Sequence, residues 1–242
     1  MSETQTFILK DVINDLIDVK SSLEGALFKL NYFGRLIKNE ELTIYTNAEI
    51  NGYKGTELPN YRKGIATLLV HMQTAYGQTE TRELPISLLP PPMNEGMRYH
   101  GIQDGIRVIE QMMQNADPIK NQLLKTEIPM EMIPHIQPGA SKLYRTNGGI
   151  TVTGALITAN ANILPQILST VRSRLLAFCM QLAETYSFEI TIVPFKKDQT
   201  VNNSVVNNYF QTEVINNGHG NLINTGSGAF IDAAANVAPS KQ

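Results

Sequence analysis

Apolar residues return at helical spacing from the start of the chain. Between Phe7 and Val19 the positions Ile8, Val12, Leu16 and Val19 recur every three or four residues, with Lys10, Asp11, Asn14, Asp15 and Asp18 falling between them. That pattern predicts a helix with one buried face. Ser21 followed by Glu24 has the spacing of a capping box, so a second helix is expected from Leu23 to about Lys38, with Leu23, Leu27, Leu30 and Phe33 or Leu36 inward. Glu40 and Glu41 suit the positive end of a third helix that carries Leu42, Tyr45 and Ile50 and stops at Gly52. The first 50 or so residues therefore read as a small antiparallel helical bundle.

The period then changes. Ile65 to Gln73 reads as a strand, and Thr79 to Ile86 returns beside it across a turn near Gly77. Pro90, Pro91 and Pro92 end that hairpin, after which Ile102, Ile106, Ile109 and Met113 restore helical spacing. Thr126 to Ser141 is rich in proline and glycine and has no period, so it is expected to be irregular. Ile150 to Ile157 alternates as a strand. Asn162 is placed to cap a long helix from Ile163 to Tyr186, with Pro165 in its first turn and an unbroken stripe of Ile167, Val171, Leu175, Phe178 and Leu182. The fold class is α+β: an N-terminal helical bundle, a small β element, a long closing helix, then a tail of different composition. We expect a main domain over 1–197 and an appendage over 198–242.

Composition narrows the chemistry. A formal net charge of -2 argues against nucleic acid as a partner, because a surface that tracks phosphates carries an excess of Lys and Arg. The single cysteine, Cys179, excludes an internal disulfide and every multi-cysteine metal cluster, and it sits on the apolar side of the last helix beside Phe178 and Met180, where a buried, inert thiol is expected. His71, His100, His135 and His219 are scattered without metal-ligand spacing, and no Gly-rich phosphate loop is present. No metal and no cofactor are expected. There is no run of 18 or more apolar residues and no basic segment leading into an apolar one at the N-terminus, so a cytoplasmic protein without a membrane span is the simplest expectation.

One stretch fits none of the elements: EINGYKGTELPNYR, Glu49 to Arg62. It is too polar and too punctuated by Gly and Pro for a core element, yet it contains two tyrosines. Two readings stand side by side. Glu49, Asn51 and Arg62 converge with Tyr53 and Tyr61 on a polar pocket in which Arg62 takes an anion; or Gly52 and Pro59 make a corner whose backbone groups those same side chains satisfy. The same choice holds for Arg172 and Arg174 on the last helix, which either touch an anion or lie on its solvated flank.

The run LTIYTNAEINGYKGTELPNYR resembles the signature of the AbiTii domain family, with Tyr45 at the aromatic position, Glu49, Ile50, Asn51, Gly52 and Tyr53 as the first motif, and Leu58, Pro59, Tyr61 and Arg62 as the second. Thr170 to Glu184 is similar to the family's closing helix, with Val171, Arg172, Leu175, Leu176 and Leu182 in the expected places. Tyr45 stands where the family usually has Trp, and Ile50 where it usually has Leu. The resemblance covers roughly residues 4 to 190. It implies a phage-resistance protein of the abortive-infection kind and leaves the chemistry open.

The tail departs in composition. From Thr200 to Ile231 the near-repeats VNN, INN and LIN place Asn beside Val201, Val206, Ile215 and Leu222, with Asn217 and Asn224 among the recurring amides. Short β rungs with stacked Asn ladders are the ordered reading, and a disordered linker the other. Three or four rungs bury too little to stand by themselves, so the ordered reading implies a homo-oligomer. Two functions follow from different classes. One is a non-enzymatic defence protein that senses or transmits infection, takes a phage or partner protein as ligand, and multimerises through its tail. The other is a toxin enzyme acting on nucleic acid or a nucleotide, with Glu49, Arg62, Arg172 and Arg174 at its site.

Overall fold

The computed structural model describes residues 6–115, 123–145 and 149–192. These divide into two compact units, residues 6–50 with 174–192 and the described part of 51–173. The architecture is α+β, as the sequence predicts.

The first unit begins with a short strand β1 (Thr6–Ile8), followed by helices α1 (Leu9–Ile17), α2 (Leu23–Ile37) and α3 (Glu40–Asn51). The first helix is shorter than expected: Ile8 pairs with Glu189 in an antiparallel ribbon and is exposed, Val19 lies beyond the helix and is exposed, and Leu9, Val12, Ile13 and Leu16 form the buried face. The chain has a reason to start there. The backbone N–H groups of Leu9 and Lys10 both donate to the Phe188 carbonyl at 2.9 and 3.3 Å, so the ribbon supplies the cap that no side chain provides. Asp18 closes the helix and accepts from the Lys20 amide and the Ser21 hydroxyl. Ser21 is thereby engaged, and the N-cap of α2 is Ser22, whose Oγ accepts from the Glu24 amide at 3.2 Å. The capping residue is thus one position later than the spacing suggested.

Between α2 and α3 polar side chains join the apolar packing of Leu42 over Gly34. Asn31 on α2 donates through Nδ2 to Thr46 Oγ1 at 2.9 Å and to Asn47 Oδ1 at 3.1 Å, and its own Oδ1 accepts from Arg35 Nε at 3.0 Å. Gly34 makes the close approach possible, since a Cβ there would stand 2.9 Å from Thr43 Oγ1. Asn39, which the sequence reading missed, caps α3: its Oδ1 accepts the Leu42 amide at 2.8 Å.

The second unit is built on a four-stranded antiparallel sheet in the order β4-β3-β7-β6, where β3 is Thr67–Thr74, β4 Thr79–Leu84, β6 Leu123–Glu127 and β7 Ile150–Asn160. The predicted hairpin is β3 with β4, turning at Gly77 with φ +77°. The expected Ile65–Gln73 strand is two elements, because Lys63–Ile65 (β2) leaves this sheet to pair with Tyr99–Gly101 (β5). Along β3 the residues Leu68, Val70 and Met72 face the core, and along β7 Val152 and Ala155 do. Those two are three positions apart. A bulge opposite His71 and Met72 absorbs the extra residue, Thr153, whose hydroxyl donates to the His71 carbonyl, and so keeps both side chains on one face.

After the prolines comes a single turn of helix, α4 (Met93–Gly96), and then α5 (Ile106–Gln114), with Ile102 buried just before α5 rather than within it. The segment expected to be irregular, Thr126 to Ser141, is instead the end of β6, a short turn and helix α6 (Ile133–Tyr144). Pro134 costs nothing at the second helical position, and Pro138 is turned outward while Ile133, Ile136, Gly139 and Ala140 are buried against the sheet. Gln137 then does what a strand neighbour would. Its Oε1 accepts the Val152 amide at 2.8 Å and its Nε2 donates to the Ile150 carbonyl at 3.0 Å, satisfying β7 where β6 has ended. The last helix, α7, spans Ile163–Tyr186 as predicted, and its whole stripe of Ile167, Val171, Leu175, Phe178 and Leu182 is buried. It leads to β8 (Glu189–Thr191), the partner of β1.

Because Asn39 is buried and its side chain caps α3, Asn39→Ala is expected to lower stability by about 1 kcal/mol. Chemical denaturation with an unchanged slope measures it, and a midpoint equal to wild type would contradict the assigned cap.

Candidate functional site

The motif stretch begins where α3 ends. Gly52 takes φ +91°, a conformation that side chains rarely adopt, and a Cβ on it would collide with the Gln103 carbonyl oxygen and approach the Gly105 amide nitrogen to 3.1 Å. The chain is thereby turned against residues 102–105. Tyr53 N–H then donates to the Gln103 carbonyl at 2.8 Å, and its ring is buried.

Further along, Pro59, extended at φ -60° and ψ 150°, sets up a single turn of 3-10 helix over Asn60–Arg62, closed by Arg62 N–H to the Pro59 carbonyl at 3.0 Å. That turn delivers the Arg62 side chain inward. Arg62 is fully buried, the largest side chain in the described structure to be so. Its Nη1 donates to the Asp104 carbonyl at 2.7 Å and to the Ile102 carbonyl at 3.2 Å, and its guanidinium carbon lies 4.8 Å from the centroid of the Tyr53 ring. The backbone closes the same loop: Ile102 N–H donates to the Arg62 carbonyl at 2.9 Å, extending the β2–β5 ladder by one rung.

Three successive carbonyls, of Ile102, Gln103 and Asp104, therefore accept from two residues of the motif. They belong to the segment that feeds α5, whose N-cap is Gly105. The remaining motif side chains fill in around them. Tyr61 is half-buried and its hydroxyl lies 3.3 Å from that of Tyr53, while Leu58 packs over Gly101, where a Cβ would stand 2.5 Å from Leu58 Cδ2. A charged group bonded to carbonyl dipoles contributes about 1.5–3 kcal/mol per bond, and a desolvated cation over an aromatic face about 2 kcal/mol. Together these forces hold the loop against residues 101–105.

The other candidate residues are disposed differently. Glu49 lies on the buried side of α3 with Leu42 and Thr46 and is fully buried; Tyr45 is half-buried on the same helix, and Asn51, the last helical residue, is exposed. Arg172 and Arg174 are half-buried on α7. Two residues apart on a helix, they point about 200° apart around its axis, so they do not converge on one anion. Cys179 is buried, and loss of water pushes its thiol up to about 12. Burial also keeps His100 below its usual value, favouring the neutral ring. Among the described residues no three His, Cys, Asp or Glu side chains assemble as a metal requires, and no helix is long and apolar enough to cross a membrane. The assembly residues expected in the tail, Val201, Val206, Ile215, Asn217, Leu222 and Asn224, lie outside the described residues, as does His219.

Sequence reading identified the motif residues but missed their common partner. Nothing in the types Ile102, Gln103 and Asp104 announces it, because the contacts are made by their backbone carbonyls. The only signal available was Gly101 and Gly105 bracketing the three.

Three outcomes test these placements. Gly52→Ala combines a positive φ with a collision against backbone, and it should cost roughly 3 kcal/mol or prevent folding; a thermal melt indistinguishable from wild type would contradict the close approach. For Cys179, a folded value of about 12 against 9.0 in the unfolded chain means that the unfolded state loses its proton first. As pH rises from 9.0 towards 12 the unfolded state therefore gains, and stability falls progressively across that window. In the same way, iodoacetamide at neutral pH should modify the thiol only when the chain is unfolded by denaturant, and rapid labelling of the folded chain would place Cys179 at the surface instead.

Comparison with known proteins bears on the whole of this arrangement. A family model, AbiTii, matches residues 8–208, which takes in the motif, the described elements of both units and the first residues of the tail. No curated protein and no solved structure matches the chain. The match spans most of the sequence: the chain belongs to the AbiTii family, and with it to abortive-infection, anti-phage defence.

Proposed function

We propose that the chain acts in abortive infection by sensing or transmitting the infection signal and by multimerising through residues 198–242, not by catalysis. The observation that carries this reading is the burial of both charged motif residues: Glu49 and Arg62 have no exposed surface. A general acid, a general base or an anion contact must reach its substrate. Arg62 instead spends its guanidinium on the backbone of Ile102 and Asp104. The motif is then a fold-closing device, and its loss disarms the protein by loosening the loop that leads into α5.

Sensing and assembly divide between body and tail on this reading. The tail's Val201, Val206, Ile215 and Leu222, with the amides of Asn217 and Asn224, supply β-forming rungs too few to close a core within one chain, and identical rungs from other copies complete them. Assembly would give the response a threshold in local concentration. The second reading, a toxin enzyme acting on nucleic acid or a nucleotide, needs Glu49, Arg62 and the two arginines of α7 to be reachable in some state of the chain.

Phage infection of cells carrying the gene separates the two. Truncation after Lys197 is expected to abolish protection with little change in the melting temperature of the purified protein, and Arg62→Ala to lose protection in step with stability. A truncated chain that protects fully would remove the assembly role from the tail. Glu49→Ala or Arg62→Ala with a wild-type melt and no protection would instead assign the motif to a ligand or substrate.

A further inference from the structure

Helix α2 buries one side and presents the other to solvent, and the solvent side is not purely polar. Phe28 is 53% exposed and Tyr32 49% exposed, one turn apart, with half-buried Leu36 a further turn along and Gly25, which carries no side chain, one turn before. Glu24 lies near the start of the same helix and Arg35 near its end, where Arg35 Nε donates to Asn31 Oδ1 at 3.0 Å and the residue is otherwise exposed. At about 100° per residue, Glu24, Phe28 and Arg35 fall within about 40° of one another around the axis, so one strip carries an acid, two aromatic rings and a base in that order. The two rings sit symmetrically about position 30, and Glu24 and Arg35 nearly so.

We propose that this strip is a homotypic docking surface, on which α2 of a second copy lies antiparallel. A two-fold axis beside position 30 then stacks Phe28 of each chain on Tyr32 of the other and sets Glu24 of each against Arg35 of the other. Parallel pairing would align Glu24 with Glu24 and Arg35 with Arg35, so charge selects the antiparallel arrangement. It also opposes the two helix dipoles. Within one chain Glu24 and Arg35 are about 16 Å apart along the helix, too far to meet each other, whereas the two-fold axis brings one of each together at both ends of the strip. Gly25 lets the second helix approach at the edge of the strip, having no Cβ and only Asp15 Oδ2, at 4.0 Å, near where one would be.

The surface is small. Two half-exposed aromatic side chains and their flanks bury a few hundred Å² per copy, below the ~1,200 Å² total of a stable interface. The contact by itself is weak, and it acts where copies are already concentrated or tethered. It goes beyond the assembly assigned to residues 198–242 and does not depend on it.

Charge reversal tests the proposal in the full-length chain. Glu24→Arg should weaken self-association in sedimentation velocity about tenfold, because the introduced guanidinium then faces Arg35 of the other copy, and Arg35→Glu, which also gives up the bond to Asn31, should do the same through facing carboxylates, with Arg35→Gln as the control that loses that bond without reversing charge. Mixing the two variants in equal amounts should restore association, since a chain basic at both positions meets a chain acidic at both. A chain carrying both substitutions should associate as wild type does, and circular dichroism melts confirm that each variant is folded. The proposal is overturned by wild type that does not self-associate at sub-millimolar concentration, by single variants that associate as wild type does, or by a mixture that sediments as the sum of its parts. Association driven by the tail persists through every charge variant and masks a weak α2 contact, so the same variants are also compared in the chain truncated after Lys197, where loss of charge dependence overturns the α2 contact and leaves the tail's role untouched.

Discussion

A cation with no exposed surface organises the middle of this chain. Arg62 can be buried because its charge is met by the carbonyl oxygens of Ile102 and Asp104 and by the face of Tyr53, and each of these is placed by a backbone constraint rather than by chance packing. Gly52 supplies the left-handed turn that brings Tyr53 to the Gln103 carbonyl, and Pro59 fixes the turn that points Arg62 inward. Without the guanidinium, the Ile102 and Asp104 carbonyls lose a charged donor. Lys could carry the charge but not the planar spread of donors.

The elements set by hydrophobic period were legible in the sequence, because burial imposes that period. The stripe of α7 from Ile167 to Leu182 and the inward positions of α2 are buried as expected. What was not legible was decided by tertiary partners. Ile8 left the first helix to pair with Glu189, Ser21 was taken by Asp18 so that the cap passed to Ser22, and Ile102 became the receiving end of the Arg62 contacts. The Pro138 helix shows the same rule in its strongest form. Local propensity argues against a helix there, but burial of Ile133, Ile136 and Ala140 and the two bonds of Gln137 to β7 outweigh it. For the motif, residue types left a corner and a ligand pocket open side by side, because the carbonyls that Arg62 meets belong to residues whose types announce nothing.

Membership in the AbiTii family places the protein in abortive infection, and the burial of Arg62 and Glu49 gives a structural reason for polar residues in such a signature. Polar groups of fixed geometry specify one loop path more strictly than apolar ones, which tolerate repacking. The Asn31, Thr46, Asn47 and Arg35 network does the same between α2 and α3.

Hydrogen exchange at three amides tests the central claim most directly. Tyr53, Arg62 and Ile102 each donate within the loop closed by the Arg62 guanidinium, to the carbonyls of Gln103, Pro59 and Arg62 respectively. If the guanidinium holds that loop, all three amides exchange slowly in the wild type, and Arg62→Lys accelerates them together by about tenfold or more while amides of the β3–β7 ladder keep their rates. Equal protection of the three amides in Arg62→Lys would contradict it.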